Sequence, residues 1–253
     1  MQTILIVEDD TVLAGVLQTA FRRSWAVDMA ANADEALATF REHKPDIVLT
    51  DKNMPGMNGL ELLHAIRRLD PHVGMVVMTA YGTEESASDS FDLGVDAYVE
   101  KPFPDLLAFV AEMERLRERV AARRGATAGP KKNSLNIFAA TSDDARKAAL
   151  AAMFDPMDTP RWFASFDALS RAVAAGGCQA AVVDCASLGV AADLASIALD
   201  SRNLPIIIVA EGLRVPDISR LINLGVKGLV NAPLDSARAG EILSGTLTRI
   251  RDA

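Results

Sequence analysis

From its first residues the chain alternates strand-length apolar runs with segments of helical period. TILIVE is followed by a helical stretch over about Asp10 to Arg23, WAVDMA by one over Ala33 to His43, and DIVLTD by one over Gly59 to Leu69. GMVVMTA is followed by one near Glu84 to Leu93, and AYVEK by a long one from Asp105. This alternation predicts parallel strands joined by crossover helices, an α/β fold. Runs as continuously apolar as ILIV and VVM fit a sheet covered on both faces. The segment RERVAARRGATAGPKKNS then loses apolar content and gains Gly, Pro and basic residues, marking a helix tail and a linker.

After the linker the pattern restarts. Leu150 answers Leu17, Phe154 answers Phe21 and Asp184 answers Asp51, each 133 positions later. GVKGLVNAPL from Gly225 echoes GVDAYVEKPF from Gly94 at an offset of 131. A constant offset with one two-residue step implies a duplicated domain with a shortened loop. The shortening is expected in the turn after the third strand. The expected organisation is a first domain over 1–124, a linker over 125–134 and a second domain over 135–253.

Charge and apolar content narrow the function classes. Residues 1–124 hold 13 Lys or Arg against 21 Asp or Glu, a net −8, whereas residues 125–253 hold 13 against 13. Direct nucleic-acid binding is disfavoured, because a phosphate backbone is held by a surplus of Lys and Arg. No apolar run approaches the roughly 20 residues of a membrane span. The amino terminus lacks the basic stretch of a signal peptide, so a cytoplasmic location is expected. Cys178 and Cys185 lie in apolar neighbourhoods without His or Cys at metal-ligand spacing and read as buried thiols.

In an open parallel sheet, ligands bind beyond the carboxyl ends of the strands. In the first domain those ends carry Glu8 and Asp9, Asp51, Thr79 and Lys101, which should face one crevice. Three carboxylates that close repel one another unless a cation joins them. Mg²⁺, a hard ion that prefers oxygen ligands and keeps some water, resolves the repulsion. Three acids with a Lys and a Thr also suit phosphoryl transfer, with Asp51 as the nucleophile. Pro55, Gly56 and Gly59 let the turn after Asp51 wrap a metal and present a carbonyl.

VEDD, LTDKNMPGMNG, VVMTAYG and DAYVEKPF, in this order and spacing, resemble the receiver domain of bacterial two-component response regulators, over residues 1 to about 124. The resemblance implies a flavodoxin-like, doubly wound (βα)5 domain with parallel strand order 2-1-3-4-5, here twice in tandem. It implies that Asp51 accepts a phosphoryl group from a sensor histidine kinase or phosphotransfer protein. Asp9 would bind Mg²⁺ directly and Glu8 through water, joined by Asp51 and the backbone carbonyl of Asn53. Thr79 and Lys101 would hold the phosphoryl oxygens, and Tyr98 would be the aromatic switch residue. Receivers usually carry a cis peptide at the position of Lys101–Pro102, and they tune phosphoryl lifetime at the positions of Asn53 and Tyr81. Chemistry is expected to be limited to self-phosphorylation from phosphodonors and slow autodephosphorylation, so the chain is not read as an enzyme.

The offset turns Glu8 and Asp9 into Thr141 and Ser142, Thr79 into Ala210, Lys101 into Ala232 and Tyr98 into Leu229; only Asp184 stays. Little remains to hold Mg²⁺ or a transferring phosphoryl group. Asp143 and Asp144 lie nearby, and a slip of one or two residues would restore an acid. The second half therefore resembles a degenerate receiver with Asp184 inactive, serving as a binding or dimerisation module or as a scaffold. In the long helix from Asp105, Leu106, Val110, Met113 and Val120 form a stripe that packs on the sheet and continues into a coiled coil or onto the second domain; the alternative is a solvated tail. Nothing after the second domain resembles a DNA-binding, ATPase or cyclase module. The expected output is a change in the face formed by the fourth and fifth helices and fifth strand, read by a downstream protein or by a second copy in a homodimer. Two rival readings stand beside this one. One is a fragment of a larger regulator whose effector domain lies past Ala253. The other is a haloacid-dehalogenase-like phosphohydrolase, which expects an Asp where Asn53 stands.

Overall fold

Five strands form in the first half: β1 Thr3–Val7, β2 Ala26–Ala30, β3 Ile47–Asp51, β4 Gly74–Thr79 and β5 Ala97–Glu100. All pair in parallel, in the order β2-β1-β3-β4-β5. Every residue of β3 and β4 is buried, as expected of central strands covered on both faces. The computed structural model describes residues 3–80, 89–90, 93–125, 134–200, 204–231, 233–234 and 237–252. Most of the helix expected near Glu84 to Leu93, Tyr81, and most of the linker expected over 125–134 lie outside the described residues. By spatial contact the chain divides into two compact units, residues 1–83 with 95–127 and residues 84–94 with 128–253.

Local chemistry starts each helix of the first unit. Asp10 caps Thr11–Phe21, its side chain accepting from the N–H groups of Val12 and Leu13. Asn32 caps Ala33–His43. Asn58 and Glu61 form a reciprocal capping box at the start of Gly59–Leu69, which ends the turn after β3 at a fixed point. The helix Leu106–Gly125 buries Phe109, Met113, Leu116 and Val120 in one core with Ile4, Phe21, Ile47 and Val76. Leu106 and Val110, expected in the central stripe, lie at its margin, half-buried against that core. The stripe is thus used on the unit's own sheet as far as Val120. Among the described residues, no helix is long and apolar enough to cross a membrane.

The second half repeats the plan. Strands β6 Ile137–Ala140, β7 Arg161–Phe163, β8 Ala180–Asp184, β9 Ile206–Val209 and β10 Gly228–Val230 form a parallel sheet in the order β10-β9-β8-β6-β7. Read from its own first strand, that is again 2-1-3-4-5, so both units are α/β and flavodoxin-like. The registers coincide as well. Val7 pairs Thr50 as Ala140 pairs Val183, Asp51 pairs Met78 as Asp184 pairs Val209, and Met78 pairs Val99 as Val209 pairs Val230. The helices after the third strands begin at Gly59 and Ala192, each eight residues past its aspartate. The two-residue shortening therefore falls after the helix has begun, and not in the turn where the sequence suggested it. A short helix, Cys185–Leu188, fills that turn instead.

Candidate functional site

Strand order reverses between β1 and β3, so the ends of these two strands flank the crevice of the first unit. Glu8 follows β1 and Asp51 closes β3; both are buried, while Asp9 is exposed. One carboxylate oxygen from each of Glu8, Asp9 and Asp51 lies within 4.8 Å of the others. The Lys101 ammonium sits between two of them, 2.7 Å from Glu8 Oε2 and 2.9 Å from Asp51 Oδ2. Lys101 follows β5, and its N–H donates to the Thr79 carbonyl at 2.8 Å, which fixes the ends of β4 and β5 beside each other. Thr79 is fully buried at the end of β4. The Lys101–Pro102 peptide is cis. Of the strand-end residues singled out in the sequence, Glu8, Asp9, Asp51 and Lys101 thus converge, with Thr79 at the end of the adjoining β4.

Electrostatics follow from this burial. The Glu8 carboxyl is raised above its ordinary value chiefly by loss of solvent, with the Asp51 charge adding to the rise and Lys101 opposing it. Burial alone would lower the Lys101 ammonium, but its hydrogen bonds to Glu8 and Asp51 win and raise it. Lys101 therefore stays charged at neutral pH. One ammonium faces three carboxylates, an excess of negative charge on hard oxygen ligands that suits a small divalent cation.

The turn after Asp51 is shaped by backbone contacts. Asn53 N–H donates to Asp51 Oδ1 at 3.3 Å, and Gly59 N–H donates to the Lys52 carbonyl at 2.9 Å. Gly56 has φ +81°, the left-handed region that favours glycine. Gly59 is needed for a different reason from the one its sequence context suggested: a Cβ there would lie 2.1 Å from the Asp51 carbonyl oxygen. Tyr98 is buried, its ring within the domain. Beside Lys101 a cavity of about 740 Å³ opens between Val12, Leu13 and Val16 on one side and Pro102, Phe103 and Leu106 on the other. Val12 and Val16 are exposed.

The corresponding place in the second unit looks different. Thr141 and Ser142 follow β6, Asp184 ends β8 and Ala210 follows β9, as the offset predicts; Ala232 lies outside the described residues. Asp184 is fully buried, and it has companions that the sequence reading missed. Arg146 grips it bidentately, Nε to Oδ2 at 2.7 Å and Nη2 to Oδ1 at 2.9 Å. Thr141 Oγ1 donates to Oδ2 at 2.9 Å, and Arg146 Nη1 reaches Glu211 Oε1 at 2.7 Å. Asp143 restores no acid to the pocket, because it caps the helix Asp144–Ala151 by accepting from Arg146 N–H. The missed signal was available in the same offset, which sets Arg146 against Leu13 in the first turn of the equivalent helix. Cys178 is half-buried and Cys185 buried, and neither forms a disulfide.

Comparison with known proteins adds the family. The response regulator receiver domain family matches residues 4–111. Sporulation initiation phosphotransferase F of Bacillus subtilis is 34% identical over 103 residues, 40% of this chain and 83% of that protein. The chain belongs to the response regulator receiver family. A second relative of this receiver, the probable transcriptional regulatory protein TcrX of Mycobacterium tuberculosis, is 35% identical over 102 residues, 40% of this chain. The matched stretch spans 44% of TcrX, less than half its length. A solved CheY-like response regulator receiver domain protein from Methanospirillum hungatei is 28% identical, covers 50% of this chain and 99% of its own, and has a TM-score of 0.46. The family match ends at residue 111, before the second sheet begins at β6.

Proposed function

We propose that the chain is a response regulator whose first domain takes a phosphoryl group on Asp51 from a phosphohistidine of a sensor kinase or phosphotransfer protein. The observation that carries this reading is the placing of the Lys101 ammonium within 3 Å of both Glu8 and Asp51 at the ends of three different strands. An Asp51 oxygen attacks phosphorus, forming an O–P bond as the donor's N–P bond breaks and the imidazole departs with the electron pair. Lys101 and the Thr79 hydroxyl balance charge on the phosphoryl oxygens. Glu8, Asp9, Asp51 and the Asn53 carbonyl would hold Mg²⁺, which when bound neutralises charge between acceptor and donor. The donor set fits: three acidic side chains within reach of one another, two of them largely withdrawn from water.

In this reading the protein works in the cytoplasm as a switch and turns over no substrate beyond its own phosphorylation and slow dephosphorylation. Tyr98 couples the site to a surface read by another protein or a second copy. The second unit is a degenerate receiver, supported by its identical strand order and register and by an aspartate at the equivalent strand end. Incubation with acetyl phosphate and Mg²⁺ should give acid-labile, hydroxylamine-labile labelling of the wild type and none of Asp51→Asn. Labelling that survives that substitution contradicts the assignment.

A further inference from the structure

The second unit's pocket differs from the first in more than its missing acids. In the first unit one ammonium on a strand end is shared among carboxylates, leaving a cluster short of positive charge. In the second, a guanidinium from the following helix engages both oxygens of the strand-end carboxylate of Asp184. Both Asp184 oxygens accept from Arg146, and Oδ2 accepts a further bond from Thr141. Ser187 Oγ lies 2.8 Å from Thr141 Oγ1, and Ser187 N–H points to Asp184 Oδ1 at 3.4 Å. The remaining arm of the guanidinium is taken by Glu211, beyond the end of β9. Asp184 and Glu211 are the acids that face Arg146 across the pocket, and their hydrogen bonds raise it above the ordinary arginine value.

We propose that Arg146 is the permanent cation of the second unit's strand-end pocket, a tethered counter-ion that occupies Asp184 and ties the ends of β6, β8 and β9 together. The inference rests on the reading of this unit as a receiver frame, and it changes why the frame is silent. Asp184 is not merely without helpers; both of its oxygens are already committed. A planar guanidinium offers paired donors that match a carboxylate, which a lysine could not reproduce. The unit is thereby held in one arrangement, and a metal or phosphodonor meets an Asp184 whose two oxygens are already hydrogen-bonded.

The test is a double-substitution cycle on the full chain, read by hydrogen exchange of the β6, β8 and β9 amides. Arg146→Leu leaves a buried carboxylate without its cation and should raise exchange on the order of a hundredfold or more at neutral pH. Adding Asp184→Asn to that variant should recover at least tenfold, because the orphaned charge is gone. Additive effects of the two substitutions would overturn the proposal. The cycle reads only the second unit, so it can fail while labelling at Asp51 stands, and the reverse.

Discussion

At the scale of single residues, the first unit's chemistry depends on how one ammonium is divided among three acids. Raising Glu8 above its ordinary 4.5 means that its proton is held into a range where an exposed glutamate is already ionised. A divalent cation must displace that proton. Mg²⁺ affinity, measured by calorimetry, should therefore weaken as pH falls through the raised Glu8 value, before an ordinary glutamate would titrate. Glu8→Gln should bind Mg²⁺ more weakly at neutral pH and lose that part of the pH dependence; an unchanged profile would remove Glu8 from the ligand set. For Lys101 the sign is opposite. Its contribution to stability is fully present below the ordinary 10.5 and is lost only as the pH rises through its still higher folded value. The same scale shows what a sequence reads well. Glu8, Asp9, Asp51, Thr79 and Lys101 were legible because strand ends in a parallel sheet share one edge. Arg146 was passed over, although the offset sets it against Leu13, because it reaches the second pocket from a helix and not from a strand end.

Elements carry these residues to their places, and the turn after β3 is the least forgiving of them. Gly59 begins a helix against the carbonyl of the residue that ends the strand. Gly59→Ala should cost roughly 1–3 kcal/mol in urea unfolding and slow acetyl-phosphate labelling, because either the turn or the Asp51 backbone must shift. A variant as stable and as reactive as wild type would show that the contact is not limiting. The helix Thr11–Phe21 presents a second element-scale consequence. Val12 is 75% exposed and Val16 46% exposed, an unusual placing for valines, and they border the cavity beside Lys101. In the proposed reading a protein donor approaching Asp51 meets this face, which acetyl phosphate does not need. Val12→Asp with Val16→Glu should reduce transfer from a phosphohistidine protein at least tenfold and leave acetyl-phosphate labelling within twofold. Equal loss with both donors would contradict a docking role. The five strands of the first unit and its helices Thr11–Phe21, Ala33–His43, Gly59–Leu69 and Leu106–Gly125 were readable from apolar period; the short helix Cys185–Leu188 was not. Of the expected stripe in the long helix, Met113 and Val120 are in the core and Leu106 and Val110 at its margin; Phe109 and Leu116 were missed because only the packing on the sheet decides between neighbouring apolar positions.

At the scale of the whole molecule, the chain holds two copies of one frame that differ in chemistry. The offsets of 133 and 131 foretold both sheets, and the strand registers coincide position by position. What the offsets could not foretell is that the second aspartate acquires new partners instead of standing alone. The two buried strand-end aspartates are proposed to differ in one respect: the one faced by an acidic cluster and a lysine accepts a phosphoryl group, and the one gripped by an arginine does not. Intact-mass measurement of the full chain after acetyl phosphate and Mg²⁺ tests this most directly. One phosphoryl group per chain is expected in the wild type and in Asp184→Asn, and none in Asp51→Asn or without Mg²⁺. Two groups per chain, or one that persists in Asp51→Asn and disappears in Asp184→Asn, would contradict it.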